Sequence, residues 1–125
     1  MNIIISNNSS VAIYEQIKNA IKDAIISNEL KEEEMLPSVR NLANDLKISF
    51  LTVKKAYDEL EAEGFIKTVQ GKGSFVAPKN LEIIKEEKLK EVQDYIEKIY
   101  NISRIANISE DEIKELFNII FEEEI

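Results

Sequence analysis

Hydrophobic residues in the first half of the chain recur at helical spacing in three separate blocks. The first block predicts a helix over residues 11–27, the second a helix over residues 38–46, and the third a helix that follows Ser49. Each of these helices has one apolar face, which indicates one compact module. The residues that the pattern assigns to its core are Ile13, Tyr14, Ile17, Ile21, Ala24, Ile25, Val39, Leu42, Ala43, Leu46, Val53, Ala56, Tyr57 and Leu60.

Small residues indicate where these helices begin and end. Ser38, directly after Pro37, and Ser49 each precede a block, and a serine there can accept a hydrogen bond from a free N–H group of the first turn. The polar cluster at residues 7–10 offers an N-cap for the first helix. Gly64 follows the third helix at the position where a left-handed residue commonly ends a helix.

A tight turn and a hairpin complete the predicted module. Residues 47–48 are all that separate the second helix from the N-cap of the third. β-prone runs at 65–69 and 74–77 surround the glycine-containing segment 70–73, which predicts a β-hairpin, whereas residues 29–35 are expected to be a charged loop. The fold class is therefore mostly α with a small β-hairpin, in the order of a winged helix-turn-helix.

The composition changes after Pro78 to a mixture rich in Lys, Glu and Ile that favours helix. One long helix is predicted over about residues 80–106 with Asn107 as its stop, and a capping box at Ser109 opens a last helix. Two amphipathic helices alone bury their apolar faces poorly, so we expect a homodimer assembled through residues 81–125. The apolar residues assigned to its interface are Leu89, Val92, Ile96, Ile99, Ile113, Leu116, Phe117, Ile120 and Phe121.

This change of composition predicts two domains with different tasks. Residues 1–78 are expected to form a winged helix-turn-helix DNA-binding domain, and residues 79–125 a helical dimerisation tail. Of the net charge of −8, residues 1–78 carry −2 (9 Lys and Arg against 11 Asp and Glu) and residues 79–125 carry −6 (7 against 13). The acidity therefore lies mostly in the tail.

The local charge around the predicted hairpin and the last two helices of the module is different. Residues 38–78 hold 6 Lys and Arg against 5 acids, so a basic face is compatible with an acidic protein. An alternative remains open at this point: a winged-helix module for protein–protein interaction, whose acidic surface imitates DNA.

Composition also bears on chemistry and location. The chain has no Cys and no His, which removes the usual nucleophile, general base and transition-metal ligands, so we expect no enzyme, no metal ion and no cofactor. No apolar run approaches the roughly 18 residues that cross a bilayer. Residues 1–12 lack the features of a secretory signal, so a cytoplasmic protein without membrane contact is expected. The sequence identifies no small-molecule effector.

The candidate DNA contacts lie at the starts of the second and third helices and at the hairpin tip. Helix-turn-helix proteins place the N-terminal part of the second helix of the motif in the major groove, and the third helix here has no acid before Asp58. Arg40 can bind guanine or phosphate through two donors, and glycine permits close approach to DNA. The candidate contacts are Ser38, Arg40, Ser49, Phe50, Leu51, Thr52, Lys54, Lys55, Gln70, Gly71 and Lys72.

Several motifs within residues 11–77 stand at the spacings of one known family. They are Tyr14-x-Gln16-Ile17, Leu36-Pro37-Ser38-x-Arg40-x-Leu42-Ala43, Thr52-Val53-x-x-Ala56-Tyr57-x-x-Leu60, Glu63-Gly64 and Gly71-x-Gly73-x-Phe75-Val76. In these motifs the chain resembles the GntR family of bacterial transcription regulators. Its short two-helix tail is similar to that of the YtrA-like subfamily, in which the tail serves dimerisation.

The resemblance implies a sequence-specific regulator that binds a pseudo-palindromic operator in double-stranded DNA as a homodimer. It implies contacts at Arg40, within 49–54 and around Lys72, and the subfamily implies a repressor, often of operons for ABC transporters. One departure is that Phe50 and Leu51 stand where many relatives have Arg or another polar residue. Such apolar groups either contact thymine methyl groups or pack at the helix start.

Overall fold

A computed structural model describes residues 2–123; residues 1, 124 and 125, which the two predicted domains include, lie outside the described residues. The chain divides into two compact units between Leu81 and Glu82. Helices and one antiparallel hairpin follow each other in the predicted order, which confirms the fold class. The elements are α1 (Ile13–Ile26), α2 (Val39–Leu46), α3 (Phe50–Ala62), β1 (Ile66–Val69), β2 (Gly73–Val76), α4 (Leu81–Ala106) and α5 (Glu110–Glu123).

In the core of the first unit, α1 and α2 pack on α3, and β1 of the hairpin also contacts α3. Most of the predicted core residues are buried, but Ile13, Tyr14, Val39 and Leu46 are only half-buried because they lie at the ends of their helices. The buried apolar residues are Ile17, Ile21, Ala24, Ile25, Leu30, Leu36, Leu42, Ala43, Val53, Ala56, Tyr57, Leu60, Phe65, Ile66 and Val76.

Three N-caps were predicted in this unit, and the two that are single serines are confirmed. The Oγ atoms of Ser38 and Ser49 accept hydrogen bonds from the N–H groups of Asn41 (3.0 Å) and Thr52 (3.1 Å). Gly64 has a φ of +85°, the left-handed value expected after a helix end.

The predicted polar cap of α1 is wrong. Its N-cap is Ala12, which has no side chain able to accept a hydrogen bond from the first turn. Gln16 instead ties the preceding segment to α1, since its amide donates to the carbonyls of Ser6 and Val11 (both 2.9 Å) and accepts from the Ser6 N–H group (2.8 Å). A long side chain one turn into the helix thus replaces a short cap.

The predicted charged loop at residues 29–35 contains a β-bridge. Met35 pairs antiparallel with Phe75, and the N–H group of Leu36 donates to the carbonyl of Ser74 (2.8 Å). Within the hairpin itself, the register pairs Ile66 with Val76. The segment before α2 therefore lies beside the second strand of the hairpin and is bonded to it. We call the hairpin (residues 66–76) the wing.

A cluster of charges, partly shielded from solvent, holds α1 to the end of α3. The Nζ atom of Lys18 lies 3.1 Å from Glu59 and 2.5 Å from Glu63, and Lys22 lies 3.4 Å from Glu63. Burial disfavours the charged forms, but the hydrogen bonds and opposite charges outweigh it, so the pKa of Lys18 is raised and the pKa of Glu63 is lowered. The cluster therefore favours the charged state of both groups.

The second unit consists of α4 and α5. The predicted stop at Asn107 has the expected left-handed φ of 57°, and Ser109 and Glu112 exchange the two hydrogen bonds of a capping box (2.9 and 3.2 Å). Neither helix contains a buried residue among those that the structure describes. Between residues 2 and 123, every helix is too short or too polar to cross a membrane.

Candidate nucleic-acid interface

The starts of α2 and α3 meet at Arg40 and Phe50. The guanidinium carbon of Arg40 lies 5.8 Å from the centre of the Phe50 ring, within the range of a cation–π contact. Arg40 is exposed, and Phe50 retains 44% of its accessible surface. The contact places a guanidinium, with its fixed fork of donors, beside the N-terminus of α3.

The hydroxyl groups at these two helix starts are engaged in local hydrogen bonds. Besides its cap bond, Ser49 Oγ lies 2.7 Å from Thr52 Oγ1. Ser38, Ser49 and Thr52 therefore fix the first turns of α2 and α3, and the N-terminus of a helix is a favourable place for a phosphate oxygen. The three side chains therefore shape the surface at these two helix starts.

A buried tyrosine connects the residue before the α2 cap to α3. The hydroxyl of Tyr57 donates to the carbonyl of Pro37 at 2.7 Å, and burial raises the pKa of Tyr57 to about 12. This bond fixes the start of α2, and with it Arg40, against the helix that carries Phe50. The sequence pattern placed Tyr57 in the core, but the spacing of 20 residues gave no signal for its polar partner.

Lys54 and Lys55 leave α3 on different sides. Lys54 pairs with Asp58 one turn later (2.8 Å), a surface pair of the kind that contributes well under 1 kcal/mol in water. The Nζ atom of Lys55 lies 3.9 Å from the centre of the Tyr14 ring on α1. Both lysines are exposed residues, so a phosphate can replace or join these weak partners.

Leu51 is the outermost apolar residue at the start of α3, with 73% of its surface exposed. Beside it lies a recess of about 390 Å³, which is partly apolar. The residues that line the recess are Ile13, Tyr14, Leu51, Thr52 and Lys55. The exposed surface of α3 thus combines positively charged and apolar side chains.

The wing tip is an open turn at Gln70, Gly71 and Lys72. Gly71 has a φ of +80°, and a Cβ atom added there would meet no other atom within 4 Å. The N–H group of Lys72 closes the turn by donating to Val69 (2.9 Å). A side chain at residue 71 is thus disfavoured by the backbone angle and not by crowding, so the tip can approach another molecule closely.

The residues assigned to dimerisation lie in the second unit, and all nine keep accessible surface. Ile99 and Ile113 are half-buried, and Leu89, Val92, Ile96, Leu116, Phe117, Ile120 and Phe121 are 39–71% exposed. A groove of about 640 Å³ lies between α4 and α5, lined in part by Ile96, Ile99, Ile113 and Phe117. The groove brings four of the nine residues together. Among residues 2–123, no group of three or more acidic side chains is placed to hold a metal ion.

Known proteins resemble this chain in sequence and in fold. Residues 13–76 match a family model described as "Bacterial regulatory proteins, gntR family". The HTH-type transcriptional repressor YtrA of Bacillus subtilis is 32% identical over 90% of this chain and 87% of its own length. A transcriptional regulator from Oenococcus oeni has a similar structure, with a TM-score of 0.80 and 29% identity over 94% of this chain and 97% of that one.

A structure with DNA bound is also similar. It is the DNA-binding domain of AraR in complex with operator ORX1, with a TM-score of 0.55 and 26% identity. The match covers 62% of this chain and 96% of that one. The winged unit therefore has the fold of a domain that has been seen on its operator.

Proposed function

The chain belongs to the gntR family of bacterial regulatory proteins and is a DNA-binding transcription regulator, and we propose that it represses transcription in the cytoplasm as a homodimer. Its target is a pseudo-palindromic operator with half-sites about one duplex turn apart, roughly 34 Å. Relatives named as repressors, YtrA among them, support repression rather than activation. A domain boundary near residue 78 separates the DNA-binding part from the dimerisation part.

The observation that carries this proposal is the meeting of Arg40 and Phe50 at the start of α3. Helix-turn-helix proteins insert the N-terminal part of this helix into the major groove. Arg40 then lies where a guanidinium binds a guanine edge or a phosphate, and Lys54 and Lys55 supply further positive charge to the backbone on either side.

The wing supplies the second contact with DNA. Lys72 and Gln70 stand at a tip whose glycine permits close approach, so they reach the flanking phosphates or the minor groove. Ser38, Ser49, Phe50, Leu51, Thr52 and Gly71 complete the proposed contact surface. The charge of the tail takes no part in it.

The tail provides the dimer interface. Its nine apolar residues remain half-buried or exposed in one copy, and contiguous apolar surface of this kind is the mark of an interface. A second tail offers a surface with the same apolar pattern, as symmetric homodimers require.

Two measurements test the proposal. Selection of bound duplexes from a random DNA pool should return an inverted repeat, and sedimentation should give twice the mass of 14.4 kDa. The logarithm of the operator affinity should fall linearly with the logarithm of the salt concentration, with a slope that corresponds to several phosphate contacts. A chain that selects no duplex at any salt concentration would contradict DNA binding and favour the acidic interaction module instead.

A further inference from the structure

The start of α3 presents carbon where polar atoms would be expected to read bases. We propose that Leu51 recognises the C5-methyl group of one thymine in each half-site of the operator. This inference rests on the proposed function and deepens it, because it assigns a base preference to a named side chain.

Leu51 lies on the outward face of α3. It precedes the fully buried Val53 by two residues, which is about 200° around a helix, and 73% of its surface is exposed. By contrast, Val53, Ala56 and Leu60 on the opposite face are 0% exposed. An apolar side chain in this place is covered only to a small extent by its own unit.

The polar neighbours of Leu51 have partners within the chain. Ser49 and Thr52 are hydrogen-bonded to each other, Lys54 is paired with Asp58, and Lys55 lies over the Tyr14 ring. The lysines can exchange these partners for phosphate, and the bond between Ser49 and Thr52 occupies one of the two hydroxyl hydrogens. The methyl groups of Leu51 are the most exposed apolar atoms at the start of α3.

The edges of the four base pairs offer one apolar group in the major groove, the C5-methyl of thymine. The recess beside Leu51 extends the apolar surface toward Ile13 and Tyr14. A thymine methyl that enters here is removed from water by carbon atoms, whereas cytosine has only a hydrogen atom at C5 and gains no such burial.

Phe50 differs from Leu51 although it is also apolar and adjacent. Its ring lies against the Arg40 guanidinium and is less exposed, at 44%. We therefore assign Phe50 the positioning of Arg40. This difference makes Phe50 a matched control for Leu51.

The experiment replaces each thymine of the selected operator by deoxyuridine, which removes the methyl group and leaves pairing unchanged. Anisotropy titrations use the full-length wild type, Leu51→Ala and Phe50→Ala. At one thymine position, the substitution should weaken wild-type binding about fourfold per half-site relative to the unsubstituted operator. This is the value expected for one buried methyl group. Leu51→Ala should bind both duplexes equally, and Phe50→Ala should keep the fourfold difference.

The outcomes separate this inference from the function on which it rests. A wild type that binds the operator but tolerates deoxyuridine at every position overturns the role of Leu51 and leaves the regulator intact. If Phe50→Ala loses the methyl effect and Leu51→Ala keeps it, the inference is overturned, and Phe50 is the residue that contacts the methyl group. Failure to select any operator contradicts the proposed function itself. Circular dichroism checks that each variant is folded.

Discussion

The winged unit and the tail have similar apolar patterns, yet the two bury them differently. In the winged unit, Ile17, Ile21 and Leu60 are 0% exposed, whereas in the tail Leu116 is 56% and Phe121 is 71% exposed. Both units have capped helices with one apolar face each. The difference teaches that a periodic pattern identifies the face that must be covered, but not whether the cover comes from the same chain.

Charging the tail interface should have the largest effect on function. Ile96→Glu places a carboxylate on the apolar face of α4, so we expect a monomer by sedimentation. Operator affinity should fall about 100-fold or more, because two linked half-site contacts become one. Asn101→Glu is the control, since it adds the same charge five residues on, on the opposite face of the helix. A dimeric Ile96→Glu variant would break the comparison.

Truncating the same residue type in the two units sharpens the comparison. Leu60→Ala leaves a cavity in a filled core and should lower the free energy of unfolding of the winged unit by about 2–5 kcal/mol in a urea titration. Leu116→Ala removes a half-exposed side chain and should leave that transition unchanged while weakening dimerisation. Equal losses in the two variants would show that the tail has a core of its own.

Removing the guanidinium should affect DNA binding alone. Arg40→Ala is expected to cost about 1–3 kcal/mol of specific binding at fixed salt, measured by fluorescence anisotropy. The dimer mass should not change, because Arg40 lies in the winged unit. Lys47→Ala, a change of an exposed cation in the turn, is the control for a general loss of positive charge. Unchanged affinity in Arg40→Ala would count against its assigned contact.

The smallest effect concerns the charge cluster between α1 and α3. The folded pKa of Glu63 is lowered from 4.5, so its stabilisation is present above that value and is lost as the pH falls through the folded pKa. The raised pKa of Lys18 gives the reverse: its stabilisation is present below 10.5 and is lost as the pH rises through the folded pKa.

Glu63→Gln tests this cluster. The variant should be less stable by about 1 kcal/mol near neutral pH, since the site is partly screened by solvent. It should also lose less stability than the wild type on acidification. Urea titrations at neutral and acid pH measure both effects, and parallel pH profiles of variant and wild type would contradict the assignment.

The sequence predicted the elements whose signals are local. The caps at Ser38, Ser49 and Ser109, and the left-handed stops at Gly64 and Asn107, follow from residues within one turn of the feature that they create. The helix ends accordingly agree with the structure to within one or two residues. Family motifs also indicated the fold class and DNA binding.

Features that depend on distant partners were missed. Lys18 and Glu63 are 45 positions apart, and the hydroxyl of Tyr57 reaches a backbone carbonyl that any residue at position 37 would offer. The bridge at Met35 uses backbone groups, which leave no pattern in the side chains. Which of the proposed DNA contacts are made depends on a partner molecule, so the site residues remain predictions.

The β-bridge at Met35 has a mechanical consequence. A two-stranded hairpin is at best marginally stable in water, but here its second strand is also hydrogen-bonded to the segment that leads into α2. Leu36, bonded to Ser74, stands two residues before the Ser38 cap and four before Arg40. The wing is therefore tied by backbone hydrogen bonds to the short stretch of chain that leads to Arg40, so the hairpin and the start of α2 are held together as one piece of the winged unit.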